Sequence, residues 1–376
     1  SAIVALFSAL SYAELSSMFP KAGAEYEYTT AAVGGYIAFI VGWLIIFSGI
    51  IGAATVALGF GGYFAGLFGT GRVIAAIGLI ALLTLILIAG IKESAAVAGL
   101  FTLIEAVGLI LIIIAGIPRL GNVNYLEMPF GITGVFTAAA LVFFAYQGFE
   151  EMVKFSEETR EPEKTVPKAL MIALAVCTLL YILVCISAVS VVGWEGLAGS
   201  EAPFAEVATV AWGPWGADVL SVIALFATAN TVLLMLLAAS RISYGMARSG
   251  SLPGPLARVH VTRRTPYLAI LVAAIGAVLF LFAGDIGFVA NVTNFTIFVT
   301  FMIVNLSVIL RRDRSPDQKR PFLVPGRIGR MPLLPLLGIL TSVFLFLQLT
   351  PDIIAIGTLL VIIGGIIALF MGREGQ

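Results

Sequence analysis

Two adjacent carboxylates, Glu150 and Glu151, lie where the sequence makes acidic side chains costly. They follow an apolar and aromatic run over residues 135–144, which reads as the first half of a membrane helix. A charged side chain near the bilayer centre costs roughly 2.5–3.5 kcal/mol on insertion scales, so both carboxylates should face protein or water. The pair therefore marks a candidate site inside a transmembrane segment.

Gly148, just before this pair, predicts a break in the helix. Glycine has no Cβ and pays the most entropy inside a helix. A break frees backbone carbonyl and N–H groups, which a membrane tolerates only where they line a cavity. Discontinuous helices of this kind bind the substrate of secondary transporters near the midplane. The alternative is a continuous helix with a packing glycine and with carboxylates already at the cytoplasmic interface, and the stretch alone favours neither.

Seven residues of this stretch are candidates for contact with a substrate. Ring faces can pack on a side chain or attract an ammonium, and freed carbonyls can accept a hydrogen bond from an amine. Aromatic residues of membrane helices more often face the core or the lipid, which is the alternative for each ring. The candidates are Phe143, Phe144, Ala145, Tyr146, Gly148, Phe149 and Glu150.

Glu105 is a second kind of candidate, because apolar residues surround it for a full helical turn on each side. A carboxylate in such surroundings could carry a proton at neutral pH, as the carboxylates of proton relays in transporters do. We therefore predict a proton-coupling role for Glu105. The alternatives are a neutral Glu hydrogen-bonded across helices and a ligand for a cationic substrate.

Further polar residues are candidates for a gate or a permeation pathway. Glu14 lies near the cytoplasmic end of its span, where it could equally be the structural partner of a loop cation. Thr228 and Asn230 lie at membrane depth in one long helix, where interhelical hydrogen bonding is the usual role. Arg241 and Arg248 continue that helix into the cytoplasm, and snorkelling explains them.

The composition, 60% hydrophobic and 11% charged, is far more apolar than that of soluble domains and indicates a polytopic α-helical membrane protein. A net charge of zero gives no indication of a nucleic-acid partner. The sequence has no Ser/His/Asp set, CxxC or P-loop, so hydrolysis and ATP-driven transport lack their motifs, and no cofactor or metal is implied.

Eleven segments can cross a hydrocarbon core of about 30 Å: 1–18, 34–66, 73–91, 95–117, 133–153, 168–192, 215–247, 267–283, 286–310, 332–349 and 352–371.

Lys and Arg residues fall almost entirely on one set of alternate loops. Of the 21 in the chain, only Arg72 and Arg119 lie on the opposite side. The positive-inside rule therefore predicts that the other loops, and the C-terminus with Arg373, are cytoplasmic. This topology places Ser1 outside, at the start of an apolar run without a basic leader. We expect that a further helix precedes it in the intact protein.

Several motifs resemble those of the amino acid–polyamine–organocation superfamily of permeases. Residues 11–28, SYAELSSMFPKAGAEYEY, resemble the family pattern Y-x-E-L followed by P-x-x-G-x-x-Y-x-Y, and Gly42-Trp43 follows as in the third family helix. The stretch FFAYQGFE at 143–150 resembles the sixth family helix. EETREPEKTVP at 157–167 resembles the family loop E-x-x-x-P-x-[RK]-x-[IV]-P. The resemblance covers essentially the whole chain.

This resemblance implies an all-α fold of the five-plus-five inverted-repeat, leucine-transporter type, in one transport domain over residues 1–376. The first repeat, 1–117, would lack its first helix, the second would occupy 133–310, and 332–371 would add two helices. The family's first helix supplies much of the substrate contact, so the chain would carry about half a site.

The function implied is secondary amino acid transport across the cell membrane by alternating access, with an amino acid and a proton as partners. An exchanger without net proton movement and a non-transporting sensor are the alternatives. Neither the particular amino acid nor the oligomeric state follows from the sequence.

Overall fold

The computed structural model is almost entirely helical and describes residues 1–21, 23–200, 202–282, 286–329 and 331–371. Arg330 and Arg373, two of the predicted cytoplasmic cations, and residue 283, the predicted end of one span, lie outside these ranges. The helices are α1 (Ala2–Met18), α2 (Ala24–Ala32), α3 (Gly35–Phe68), α4 (Arg72–Ala89), α5 (Ile91–Gly116), α6 (Gly131–Val142), α7 (Pro162–Val192), α8 (Trp194–Gly199), α9 (Pro203–Trp212), α10 (Pro214–Arg248), α11 (Tyr267–Phe280), α12 (Ile286–Arg314), α13 (Leu333–Phe346) and α14 (Pro351–Met371).

Short elements complete the architecture. Two-residue strands β1 (Arg327–Ile328) and β2 (Met331–Pro332) pair antiparallel before α13. The 3₁₀ segments are Ile117–Arg119, Phe143–Tyr146, Phe149–Glu158 and Gly254–Ala257. Two of these, Phe143–Tyr146 and Phe149–Glu158, continue the chain from α6 toward α7.

The prediction of an all-α polytopic membrane protein is confirmed. Within the described ranges, eight helical segments are long and apolar enough to cross a membrane. Three shorter apolar helices, α1, α11 and α13, coincide with the remaining predicted spans. Apolar runs of about 20 residues are sufficient to predict this architecture. A helix of that length crosses the bilayer, and it bonds the backbone groups of the span internally, as a membrane requires.

Helices α3, α12 and α10 form the centre of the bundle. In their apolar windows, 83%, 72% and 50% of the residues are buried, whereas the other long spans reach at most 33%. Small residues allow α3 and α10 to approach closely: a Cβ on Gly49 would lie 3.0 Å from both the Met235 carbonyl oxygen and the Ala239 Cβ. Glycines at such positions let membrane helices gain van der Waals contact at short range.

Substitution of Gly49 by valine should therefore destabilise the bundle by about 1–3 kcal/mol, the usual cost of overpacking, because the backbone of α10 cannot move aside locally. The measurement is the melting temperature of the purified protein in detergent. Gly62→Val is the matched control, since it lies on the same helix and a Cβ there meets no atom within 4 Å. Equal melting temperatures for the two variants would contradict this account of the α3–α10 contact.

Candidate functional site

The helix that begins as α6 is broken at the predicted place. After Val142 the chain forms the 3₁₀ segment Phe143–Tyr146, becomes extended at Gln147 and turns at Gly148, which has φ +120°. The second 3₁₀ segment, Phe149–Glu158, then leads away. The continuous-helix alternative is thus wrong. A φ of +120° lies in a region that L-residues with a Cβ rarely adopt, which explains glycine at this position.

Side chains from distant helices bond the backbone groups that the break frees. The Asn294 Nδ2, on α12, donates to the carbonyl oxygens of Ala140 and Leu141 at 3.0 and 3.2 Å, at the end of α6. The Tyr181 hydroxyl, on α7, donates to the Ala145 carbonyl oxygen at 2.8 Å. These bonds let non-helical backbone persist at membrane depth.

The segment is further fixed by its own polar side chains. The Gln147 Nε2 donates to the Ser48 Oγ on α3 at 2.8 Å, and the Gly148 N–H donates to the Glu150 Oε2 at 2.9 Å. The broken segment is therefore bonded to the central helix of the bundle and closed on itself at the turn.

The seven predicted contact residues divide into open and closed positions. Phe143 and Phe149 are buried, and their rings pack against Phe301 on α12 with centroids 5.8 and 5.7 Å apart. Tyr146 is also mostly buried and meets the Tyr181 ring edge-on at 5.3 Å. These three rings are thus core residues in this conformation.

Ala145 and Gly148 are exposed and Phe144 is half-buried, so the open part of the segment is mainly backbone. Glu150, in contrast, is 1% exposed. A substrate that reaches the segment in this conformation can meet the backbone carbonyl oxygens of the exposed residues Ala145 and Gly148, but not the Glu150 carboxylate.

Glu105 and Thr228 line one cavity, and Asn230 lies beside Glu105. Glu105 is half-buried on α5 and, with Tyr63 and Thr228, lines a cavity of about 150 Å³ between α3, α5, α9 and α10. The Asn230 side chain is a hydrogen-bond partner of Glu105 and donates to the Thr102 Oγ1 at 2.9 Å. The interhelical bond expected for Asn230 is thus present.

Thr228 differs from that expectation, because its hydroxyl donates to the Ala224 carbonyl oxygen of its own helix at 2.7 Å. It lines the cavity without bridging helices.

Tyr181 interacts with both Glu105 and the broken segment. The Glu105 carboxylate is close enough to Tyr181 and Cys177, both on α7, to interact with them electrostatically. Tyr181 in turn holds the Ala145 carbonyl oxygen. The charge on Glu105 therefore acts on a side chain that positions the break. Neither Tyr181 nor Asn294 was among the sequence candidates. A single polar group in an apolar run is the signal that could have found Tyr181, and the Asn and Thr residues at 291–296 within a span could have indicated Asn294.

Glu14 is buried and joins three parts of the chain. It accepts hydrogen bonds from the Arg312 Nε at 3.0 Å and the Val324 N–H at 2.9 Å, and the Arg320 Nε lies 3.4 Å away. The Arg312 Nη2 donates to it as well. Of the two roles that the sequence left open for Glu14, this geometry fits the structural partner of cations. The bonds of Glu14 hold α1 to α12 and to the loop before α13.

Arg241 is not a snorkelling side chain, so that interpretation is wrong. Its side chain is 11% exposed, and its Nη1 lies 2.6 Å from the Glu158 Oε1 at the end of the second 3₁₀ segment. The Arg248 Nη1 lies 3.8 Å from the Glu157 Oε2 in a more exposed pair. These ion pairs attach α10 to the end of the second 3₁₀ segment, which periodicity along one helix could not reveal.

Lys154, by sequence one of the loop cations, is fully buried. Its Nζ lies 2.5 Å from the Glu151 Oε1, and it interacts electrostatically with Glu25 and Glu150. The spacing of three residues between Glu151 and Lys154 is the one local signal of this pairing. In the described part of the chain, no group of three or more His, Cys, Asp or Glu side chains is arranged to hold a metal ion.

Comparison with known proteins gives one family. The chain matches the family model described as amino acid permease over residues 1–371. It is similar to the branched-chain amino acid permease BcaP of Bacillus subtilis (strain 168), with 32% identity over 370 residues that cover 93% of this chain and 79% of the relative. It is 31% identical to the methylthioribose transporter of the same organism, over 85% of this chain and 73% of the relative. It is 28% identical to the mitochondrial cationic amino acid transporter 3 of Arabidopsis thaliana, over 85% of this chain and 56% of the relative.

Proposed function

Because the chain belongs to the amino acid permease family, it is an amino acid transporter and not an enzyme, and we propose that it drives uptake by proton symport through Glu105. The observation that carries this proposal is the position of Glu105, near enough to Tyr181 to interact with it electrostatically, while the Tyr181 hydroxyl donates to the Ala145 carbonyl oxygen at the break at 2.8 Å. A carboxylate that gains or loses a proton at this point changes the field on the side chain that holds the broken segment.

The coupling mechanism follows from the hydrogen bonds around Glu105. When ionised, its carboxylate accepts from the Asn230 amide and repels electron-rich neighbours. When protonated, it becomes a donor, and the electrostatic effect on Tyr181 disappears. Protonation therefore shifts the balance between two arrangements of α5, α7 and α10 around the break, which is the population shift that symport requires.

We assign substrate binding to the exposed backbone of the broken segment, at Ala145 and Gly148. An amino acid presents an ammonium and a carboxylate. The carbonyl oxygens of the exposed residues Ala145 and Gly148 each have a second lone pair that can accept a hydrogen bond from the ammonium. The Gly148 N–H donates to the Glu150 Oε2 in this conformation and becomes available to the carboxylate once that bond opens. The relatives' names include branched-chain and cationic amino acids. Leucine and arginine are thus the first two substrates to test.

Alternating access would open and close the side that carries most Lys and Arg residues, which we assign to the cytoplasm. In this conformation that side is held by the Arg241–Glu158 pair and by a hydrogen bond of 2.7 Å between the Tyr26 and Ser251 hydroxyls. We place the two inverted repeats at 1–117 and 133–310 of one transport domain, with 332–371 added.

The test is uptake of labelled leucine and arginine into proteoliposomes, with and without an inward proton gradient. We expect a several-fold stimulation by the gradient, and its complete loss in Glu105→Gln, because the amide cannot carry the proton. Glu163→Gln, which removes an exposed carboxylate from α7, should keep the full stimulation.

Other outcomes identify other functions. Uptake that ignores the gradient but needs amino acid preloaded inside would contradict proton coupling and identify an exchanger. If the proton gradient still stimulates uptake in Glu105→Gln, the coupling proton binds to a residue other than Glu105.

A further inference from the structure

A second group of ionisable side chains lies away from the Glu105 cavity, where α1 packs against the 3₁₀ segment Phe149–Glu158 and Glu25 at the start of α2 lies near Lys154. It consists of Glu25, Glu150, Glu151 and Lys154, and we refer to these four as the buried charge cluster. Glu25 and Lys154 are completely buried and Glu150 is 1% exposed. Glu151 is the outermost member, with 20% of its side chain exposed. Three carboxylates thus share one ammonium in a nearly closed space.

Each carboxylate has one well-defined polar contact. The Lys154 Nζ lies 2.5 Å from the Glu151 Oε1. The Tyr12 hydroxyl donates to the Glu25 Oε1 at 3.1 Å. The Gly148 N–H donates to the Glu150 Oε2 at 2.9 Å. These contacts fix one oxygen of every carboxylate in the cluster.

The other oxygen of each carboxylate is buried without a hydrogen-bond partner among the described residues: Glu25 Oε2, Glu150 Oε1 and Glu151 Oε2. An ionised carboxylate is only an acceptor, and leaving a buried acceptor unpaired is unfavourable. With all four groups ionised, three negative charges would face one positive charge. A proton on a carboxylate oxygen removes one charge and supplies a donor.

The surroundings offer little further positive charge. Within the described residues, Arg241 and Arg248 of α10 pair with Glu158 and Glu157 beyond the cluster, and the α12 cations Arg311 and Arg314 donate to carbonyls at the far end of α2. Other ionisable groups near the cluster are Tyr12 of α1, Glu27 and Tyr28 of α2, and Lys21, whose exposed ammonium lies 3.2 Å from the Glu27 Oε2.

Electrostatics at Glu25, which lies on the short helix α2 outside the spans, agree with this geometry. Burial raises the pKa of the Glu25 carboxyl; the Lys154 ammonium opposes the rise and the Glu151 carboxylate adds to it. The stability that a protonated Glu25 contributes is thus present at low pH and is lost as the pH rises through its raised pKa.

We propose that the buried charge cluster is a proton-binding site, distinct from Glu105, that holds at least one proton at neutral pH on Glu25 or Glu150. The proton adds to a carboxylate oxygen, no bond of the protein breaks, and it leaves to water when α2 separates from the 3₁₀ segment. Glu150 lies two residues after Gly148 and accepts a hydrogen bond from the Gly148 N–H, so the proton is held beside the open part of the break. This site does not depend on the proposed role of Glu105.

The test is infrared spectroscopy of the purified protein in lipid nanodiscs between pH 5 and pH 9. A protonated carboxyl has a C=O band that an ionised carboxylate lacks, and the band shifts in D₂O. We expect this band at pH 7 in the protein and in Glu105→Gln, with clearly reduced amplitude in Glu25→Gln or Glu150→Gln. Lys154→Gln should keep the band to higher pH, because the ammonium that opposes protonation is gone. Glu163→Gln is the surface control.

Absence of the band at pH 7 in the unmodified protein would overturn the proposal, whether or not any variant folds. Its disappearance in Glu105→Gln, or an unchanged amplitude in both Glu25→Gln and Glu150→Gln, would overturn it as well. This outcome is independent of the uptake experiment. If the band persists but uptake ignores the gradient, only the proposed role of Glu105 fails. If uptake depends on the gradient but the band is absent, only the proton site in the buried charge cluster fails.

Discussion

Replacing Gly148 by alanine should lower the initial rate of amino acid uptake by about tenfold or more, with the protein still folded. The backbone at Gly148 has φ +120° and ψ −22°. Holding a residue with a Cβ in such a sparsely populated region costs of order 1–3 kcal/mol, and about 1.4 kcal/mol already corresponds to a factor of ten in an equilibrium. The alanine variant would therefore populate the broken geometry far less often. Initial rates in proteoliposomes measure the effect.

Space is not the reason for this effect, because a Cβ on Gly148 would meet no atom within 4 Å. Gly78→Ala is the matched control: Gly78 lies within the regular helix α4, and a Cβ there also meets nothing within 4 Å. Alanine favours a helix over glycine, so this variant should be at least as stable as the natural protein. A Gly148→Ala protein that transports at the natural rate would show that the turn at Gly148 is not required for uptake.

The break was predictable because its signals are local. An apolar run, a single glycine and adjacent carboxylates occur within 20 residues. Because a charge exposed to lipid is costly, this order predicts carboxylates that face protein or water beside a break at the glycine. Glu105 was predictable in the same way, from a full turn of apolar neighbours on each side. The stretch alone could not decide between a broken and a continuous helix, because the deciding groups, Asn294 and Tyr181, come from other helices.

Long-range pairing explains what the sequence did not reveal. Glu25 and Lys154 are far apart in the chain, and nothing near either residue indicates the other. Arg241 illustrates the same limit, since a cation at the end of a membrane helix has the same sequence pattern whether it reaches water or a carboxylate of another segment. Partners of buried charges are chosen by helix packing, which the pattern of one helix does not contain.

Glu14→Gln should be the most destabilising single substitution at the buried ion pairs, with a loss of about 3–5 kcal/mol of unfolding free energy, the usual cost of removing one partner of a buried pair. Glu14 is 1% exposed, and the Arg312 and Arg320 side chains beside it are 10% and 9% exposed. The glutamine leaves two guanidinium groups without their counter-charge. Melting temperature and expression level in membranes measure the loss. Glu161→Gln, in an exposed pair with Lys164, should change stability by less than about 1 kcal/mol.

Arg312→Gln should be less damaging than Glu14→Gln, because the two ends of this network are not equivalent. Without the Arg312 guanidinium, Glu14 still accepts the Val324 N–H at 2.9 Å and keeps Arg320 at 3.4 Å. Without the Glu14 carboxylate, Arg320 keeps its bonds to the carbonyl oxygens of Ser315 and Arg311 at 2.8 and 3.1 Å, but no other acid among the described residues forms an ion pair with it or with Arg312. Equal losses in the two variants would mean that Arg320 and Val324 do not share the charge of Glu14, and that α1 is held to α12 by one pair alone.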